Sequence, residues 1–295
     1  MTRDRIVVVG DVINDIVVVP RGEIRPDTDT PSTIRMSGGG SGANTAVWLG
    51  SLGAPVDFVG CVGLDDLEAH ERQFREGGVE PHLQLGSGLP TGTIVVVVDG
   101  EQRTMLTERG ANSALTSAAV TDDLLAQAAV LHISGYSILD GFGVAGTRDL
   151  IDRAVAAGVP VTVTPGSSGF IADFGVDSFL DAIAGTTVLF PNLAEGELLS
   201  GQHDPERIGA ALRERFEVVV LTMGGDGVTV FEGDTRTHVP APPVHHIVDP
   251  TGAGDAFAAG FLERWAVTRD AVAAAEAGAL VAARAIMVIG GRPPI

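Results

Sequence analysis

The chain has 295 residues, 45% of them hydrophobic, a formal net charge of −19 and one cysteine, Cys61. That is enough chain for a full core in one large domain with a small attachment, and a lone cysteine excludes an internal disulfide and suits a reducing compartment. The acidic balance excludes nucleic acid as a partner, because phosphate backbones demand basic surface; no apolar run reaches the roughly 18–20 residues of a membrane span, and Asp11 stops the N-terminal run short of a signal-peptide core, so a cytoplasmic protein without membrane contact is expected.

RIVVVGD at 5–11 reads as a buried strand ending in a turn. Beyond Gly42, Ala43, Ala46, Val47 and Leu49 recur at helical spacing, and Gly53 ends that helix. A buried strand is expected at 56–62 and a helix at 65–78, with acids first and a glycine stop. Short strands follow at 130–134, 161–164, 187–190 and 218–222, with helices around 143–157, 177–184 and 193–215 between them. A strand-like segment ends at Val248, and helices occupy about 253–266 and 270–288. Unbroken apolar strands alternating with helices predict an α/β fold with a mostly parallel sheet covered on both faces.

Two segments break the rhythm. Residues 12–37 and 90–108 hold extended stretches (IVVVP, STIRM, TIVVVVD, RTMLTE), and Asp99-Gly100 carries a hairpin turn signal. They are read as a small β-sheet lid inserted into a large domain of residues 1–11, 38–89 and 109–295. The alternative is extra strands continuing the main sheet.

All 19 basic residues are arginine. Without lysine there is no GxxxxGK[ST] phosphate loop, no protein-kinase strand lysine and no Schiff-base chemistry. A bound nucleotide has to be held by backbone, arginine, helix ends, or carboxylates through a metal. DPTGAGDAFAAGFL at 249–262 offers such a place: Gly252, Ala253 and Gly254 fall at a helix N-terminus, where N–H groups lack intrahelical partners and the helix dipole attracts an anion. Asp255 sits in the first turn beside them. Taken alone, the pattern reads first as a glycine turn with a helix-capping acid.

The wider pattern resembles the ribokinase-like, or PfkB-type, carbohydrate kinases. DPTGAGD is similar to the family's C-terminal signature and SGGGSGANTAVWLGSLG (37–53) to its N-terminal glycine motif. GDVIND (10–15), PNLAEGELL (191–199) and LTMGGDGV (221–228) match three further family segments, in the family's order and across nearly the whole chain. The resemblance implies a three-layer α/β/α domain with a β lid, and transfer of the γ-phosphoryl of ATP to a hydroxyl of a sugar. It makes Asp255 the base, and Gly252, Ala253 and Gly254 the anion hole. It assigns Asp15, Gly39, Gly40 and Asn44, and more weakly Asp11 and Asn14, to the phosphate acceptor. Thr222, Gly224, Gly225, Gly227 and Thr251 would shape the nucleotide end of the cleft. Asn192 and Glu195 would order Mg²⁺ largely through water, although N-x-x-E is also a capping box. Asp249 and the Thr251 carbonyl match the first half of a monovalent-cation (K⁺) site, whose second half, 286–291, is atypical. The lid implies a homodimer through its second apolar face.

The match thins in places. Ser41 stands where ribokinases usually carry lysine, and Thr164 and Gly166 of TPGSSG replace an Asp-Pro-Asn pattern. Tyr136 reads equally as a pocket wall or a packing residue. The acceptor therefore stays open between a sugar and a nucleoside, and a catalytically silent binding protein is a third reading. A Rossmann dehydrogenase is disfavoured, because the first strand is not followed by G-x-G-x-x-G.

Overall fold

The computed structural model describes residues 3–99 and 102–294. Three neighbouring strands of its main sheet are β8 (Ala128–Ser134), β1 (Arg5–Val9) and β4 (Val56–Val62). Every residue of β4 and β8 is buried, as strands covered on both faces require. In chain order the other strands are β2 (Ile13–Pro20), β3 (Ser32–Gly39), β5 (Val79–Leu85), β6 (Gly92–Asp99), β7 (Gln102–Glu108), β9 (Val161–Thr164), β10 (Val188–Leu189), β11 (Val218–Thr222), β12 (Val228–Glu232) and β13 (Thr235–Val239). Nine form one sheet in the order β13-β12-β11-β10-β9-β8-β1-β4-β5. Its pairs are parallel except those made by β12.

The helices are α1 (Ser41–Ser51), α2 (Leu67–Glu76), α3 (Asp122–Gln127), α4 (Gly135–Ser137), α5 (Gly143–Ala156), α6 (Ser168–Phe174), α7 (Val176–Ala182), α8 (Leu193–Ser200), α9 (Pro205–Arg213), α10 (Ala253–Thr268) and α11 (Ala271–Ala285). The core divides into two clusters on opposite faces of the sheet. One joins α1, α10 and α11 to alternate strand residues such as Ile6, Val8, Phe58 and Val220. The other joins α5, α7 and α9 to their neighbours Val7, Val9, Val59 and Val219. This is the period-two alternation of a strand serving two layers.

Strands β2, β3, β6 and β7 form a separate sheet in the order β3-β2-β6-β7. It shares no strand pairing with the main sheet among the described residues, so the strands of 12–37 and 90–108 do not continue that sheet. The two insertions meet through the parallel β2–β6 pair. The β6–β7 pairing runs to Asp99↔Gln102, and the expected turn residue Gly100 lies outside the described residues.

Three readings change. Strands β5, β12 and β13 were not anticipated. VEPHLQL and TRTHV sit at the two sheet edges, where burial on fewer sides leaves a mixed polar pattern and Pro81 is tolerated. The helix expected through 193–215 is two, broken at the left-handed Gly201. No strand precedes α10: Val248 and Asp249 donate their N–H groups to the Ile286 carbonyl, at 2.8 and 3.2 Å.

Phe261 of α10 is fully buried and lies against Phe190 at a ring separation of 4.8 Å, with Trp265 at 6.2 Å. Phe261→Ala is expected to lower unfolding stability by about 3–5 kcal/mol, read by equilibrium urea denaturation.

Candidate active site

Helix α10 starts without a side-chain cap; the residue before it, Gly252, is left-handed at φ 75°. A side chain there would also put its Cβ 2.6 Å from the Gly291 Cα, so glycine is required twice over. A Cβ at Gly254 would meet nothing within 4 Å, so an anion has room to approach that turn. The Ala253 N–H already donates to Pro250 O at 3.3 Å, which leaves the turn around Gly254 as the more open part of the expected anion hole.

Asp255 projects from this first turn toward α1. Ser41 Oγ donates to its Oδ1 at 2.7 Å, and Asn44 Nδ2 donates to its Oδ2 at 3.0 Å. Thr45 Oγ1 lies 3.4 Å from the Asp255 backbone oxygen. Burial pushes the carboxyl up to about 7, with the two hydrogen bonds opposing the shift and the charges of Asp11 and Asp15 adding to it.

The residues assigned to the acceptor divide. Asp11 is buried and caps α1: its Oδ1 accepts from Gly42 N at 3.0 Å and Ser134 Oγ at 3.2 Å. Arg109 stands 3.4 Å from its Oδ2 and also pairs with Asp140 at 2.6 Å. Asn14 spends its amide on Asp66 Oδ2 and His70 Nε2, both at 3.1 Å, which ties β2 to α2. Asp15 lies against Gly39, where a Cβ would overlap its carboxylate. Burial pushes the Asp15 carboxyl up to about 6 against the pull of Arg292. Gly40, at φ 97°, turns the chain from β3 into α1.

At the other end, Asn192 opens α8 with a complete capping box. Its Oδ1 accepts from Glu195 N, and Glu195 Oε2 accepts from Asn192 N, both at 2.9 Å. Glu195 is buried, and burial pushes its carboxyl up to about 7. Asn192 bridges Thr222, the last residue of β11. Beyond Thr222 the chain turns through Gly224 and Gly225, and Met223 N closes the turn on Gly227 O at 2.8 Å. Asp249 Oδ1 accepts from Thr251 N and Oγ1, and its Oδ2 accepts from Gly290 N at 3.0 Å, so it binds the turn before α10 to the C-terminal loop.

Tyr136 lies between the two ends: its hydroxyl is pushed up to about 12, chiefly by burial, and feels Asp11, Arg109, Asp255 and Glu195. The Arg109 guanidinium stands 4.7 Å over its ring. Arg292, Arg109, His70 and the role of Ser41 were not read from the sequence. The available signal was the absence of lysine, which makes every buried cation an arginine.

A family model described as "pfkB family carbohydrate kinase" matches residues 3–295. The chain is 30% identical over 297 aligned positions to an ATP-dependent ribose-1-phosphate kinase of Halopiger xanaduensis, covering 95% of this chain and 92% of that protein. Among solved structures, a probable sugar kinase from Rhizobium etli has a TM-score of 0.88 at 26% identity, covering 100% of this chain and 96% of that one. An adenosine kinase from Sinorhizobium meliloti has the same TM-score and identity, covering 100% and 97%.

The raised Asp255 pKa has a stability consequence. Between about pH 4 and 7 the unfolded chain loses this proton while the folded protein keeps it, so stability falls with rising pH and levels off above 7. Asp255→Asn is therefore expected to melt above the parent at pH 8, by a margin that shrinks toward pH 4, in paired thermal melts across that range.

Proposed function

The chain belongs to the pfkB family of carbohydrate kinases, and from that premise we propose that it transfers the γ-phosphoryl group of ATP to a hydroxyl of a sugar. One observation carries the reading: a carboxylate poised near neutrality, held by Ser41 and Asn44, stands in the first turn of a helix whose glycine N-terminus is open. A hydroxyl is a weak nucleophile, and a positioned base near the operating pH is worth about 10²–10⁴ in rate. Asp255 takes the hydroxyl proton as the acceptor oxygen bonds to phosphorus and the bond to the ADP oxygen breaks. The N–H groups around Gly252 and Gly254 and the α10 dipole receive the charge that grows on the phosphoryl oxygens. Asp15 accepts hydrogen bonds from neighbouring hydroxyls of the acceptor.

Mg²⁺ fits the other end, where Glu195 is a buried carboxylate with no cation paired to it among the described residues. Glu195 and Asn192 would hold the ion largely through water, and the ion would neutralise phosphate charge. K⁺ at Asp249 and Thr251 is a proposal of the same kind. A rate series in K⁺ against a bulky organic cation decides it, and a flat response removes it.

The small sheet is read as a lid that keeps water from the phosphoryl group. On its Asp15 face lie Val17, Ile94, Val96 and Met105. The opposite face exposes Ile34, Met36 and Leu106, the surface on which two lids would pair in a homodimer. Residues 12–37 and 90–108 contain no Phe, Tyr or Trp, so the lid has nothing to stack on a nucleobase. That favours a sugar over a nucleoside. The similarity to an adenosine kinase keeps nucleosides in the test.

ADP release from Mg·ATP is to be followed against pentoses, hexoses, their phosphates and nucleosides. One sugar should stimulate turnover, Asp255→Asn should lose about 10² or more of it, and kcat/KM should rise with pH through about 7. Stimulation by nucleosides alone would replace the acceptor. Full turnover by the Asn variant would remove the base.

A further inference from the structure

We propose that Arg292 is a positioning residue for this reaction: it fixes the Asn44 amide so that the NH₂ group, and not the oxygen, faces Asp255. The inference rests on the reading of Asp255 as base. Arg292 Nε donates to Asn44 Oδ1 at 3.3 Å, Nη2 to Gly39 O at 3.0 Å and Nη1 to Gln73 Oε1 at 3.4 Å. Its guanidinium also lies over the Phe74 ring, 5.6 Å from the centroid. A guanidinium has donors only, so Asn44 must offer it an oxygen. The nitrogen of the same amide is then aimed at Asp255 Oδ2, 3.0 Å away. A flipped amide would set donor against donor on one side and oxygen against carboxylate on the other.

The backbone around this relay is cleared for it. A Cβ on Gly38 would overlap the Arg292 guanidinium, and one on Gly291 would overlap Asn44 Nδ2. Trp48 Nε1 donates to Gly291 O at 2.9 Å and holds that glycine in place. The groups facing Asp255 are Ser41 and Asn44 from α1, Asp11 from the turn after β1, Asp15 from β2, and Tyr136. No cation pairs with Asp255 directly among the described residues. Arg292 stands one amide away from it.

Three variants test this, with the acceptor that stimulates turnover. Arg292→Met keeps the stem and removes the donors. It should lower kcat about tenfold or more with KM for ATP unchanged, and move the rising limb of kcat/KM to higher pH by about one unit, because the carboxylate loses a donor. Arg292→Lys, which keeps a charge but not the fork, should recover part of both. Gly291→Ala leaves Arg292 intact and displaces the Asn44 amide; it should show the Met signature, and it decides the question if Arg292→Met does not fold. A variant that raises only KM for the acceptor, with kcat and the pH limb unmoved, would mean that Arg292 holds the acceptor, and the proposal fails. Parent-like kinetics in Arg292→Met or Gly291→Ala overturn it as well. Asp255→Asn in the same series separates the two failures: full turnover there removes the base itself, whatever Arg292 does.

Discussion

Holding a half-buried carboxylate in one orientation at the mouth of α10 is the constraint on which the rest of the site depends. A carboxylate partly removed from water needs hydrogen-bond donors, and here they come from a different helix. Ser41, Asn44 and Thr45 stand at i, i+3 and i+4 of α1, and Trp48 one turn further, so a single stripe contacts the α10 N-terminus and the Gly291 carbonyl. For that stripe to be in register, α1 must be fixed along its axis. Asp11 does this from just beyond the end of β1 by accepting from Gly42 N, in place of the side-chain cap that Gly40 cannot supply. The order of dependence runs from β1 to Asp11, from Asp11 to α1, and from α1 to Asp255.

The charge pattern follows the same economy of means. A net charge of −19 keeps the surface acidic, yet three of the enclosed acids have an arginine beside them. Asp11 and Asp140 face Arg109, and Asp15 faces Arg292. A guanidinium is planar and weakly hydrated, so it tolerates enclosure and stacking better than an ammonium. Arg109 lies over Tyr136 and Arg292 over Phe74, and burial pulls Arg292 down to about 10 without discharging it at neutral pH.

Much of this was legible in the sequence, for reasons that also explain the gaps. Strands buried on both faces announce themselves as unbroken apolar runs, and 56–62, 161–164 and 218–222 were read to the residue. Edge strands such as VEPHLQL carry no such run and were missed. Glycine loops at helix starts mark close approaches of backbone, so the 37–40 and 252–254 segments stood out before any geometry was known. Side-chain pairing across hundreds of positions does not show locally: nothing in GGRPPI says that Arg292 reaches Asn44, 248 residues earlier. Nor could N-x-x-E be separated from a capping box, and the structure shows the capping box complete. A metal ligand and a cap are compatible here, because the two reciprocal bonds of the box engage Oε2 of Glu195 and do not involve Oε1.

The donors to Asp255 are neutral, and this decides how it can act. A cation in direct contact would hold the carboxylate well below the usual range and leave it a weak base. A hydroxyl and an amide orient it without neutralising it, so burial raises its proton affinity to about 7, as the proposed role of base requires. Serine at position 41, where the ribokinases that this chain resembles usually carry lysine, belongs to that arrangement. With Arg292 placed behind the Asn44 amide, positive charge acts on Asp255 through the orientation of that amide, and the carboxylate keeps the proton affinity that the proposed role of base requires.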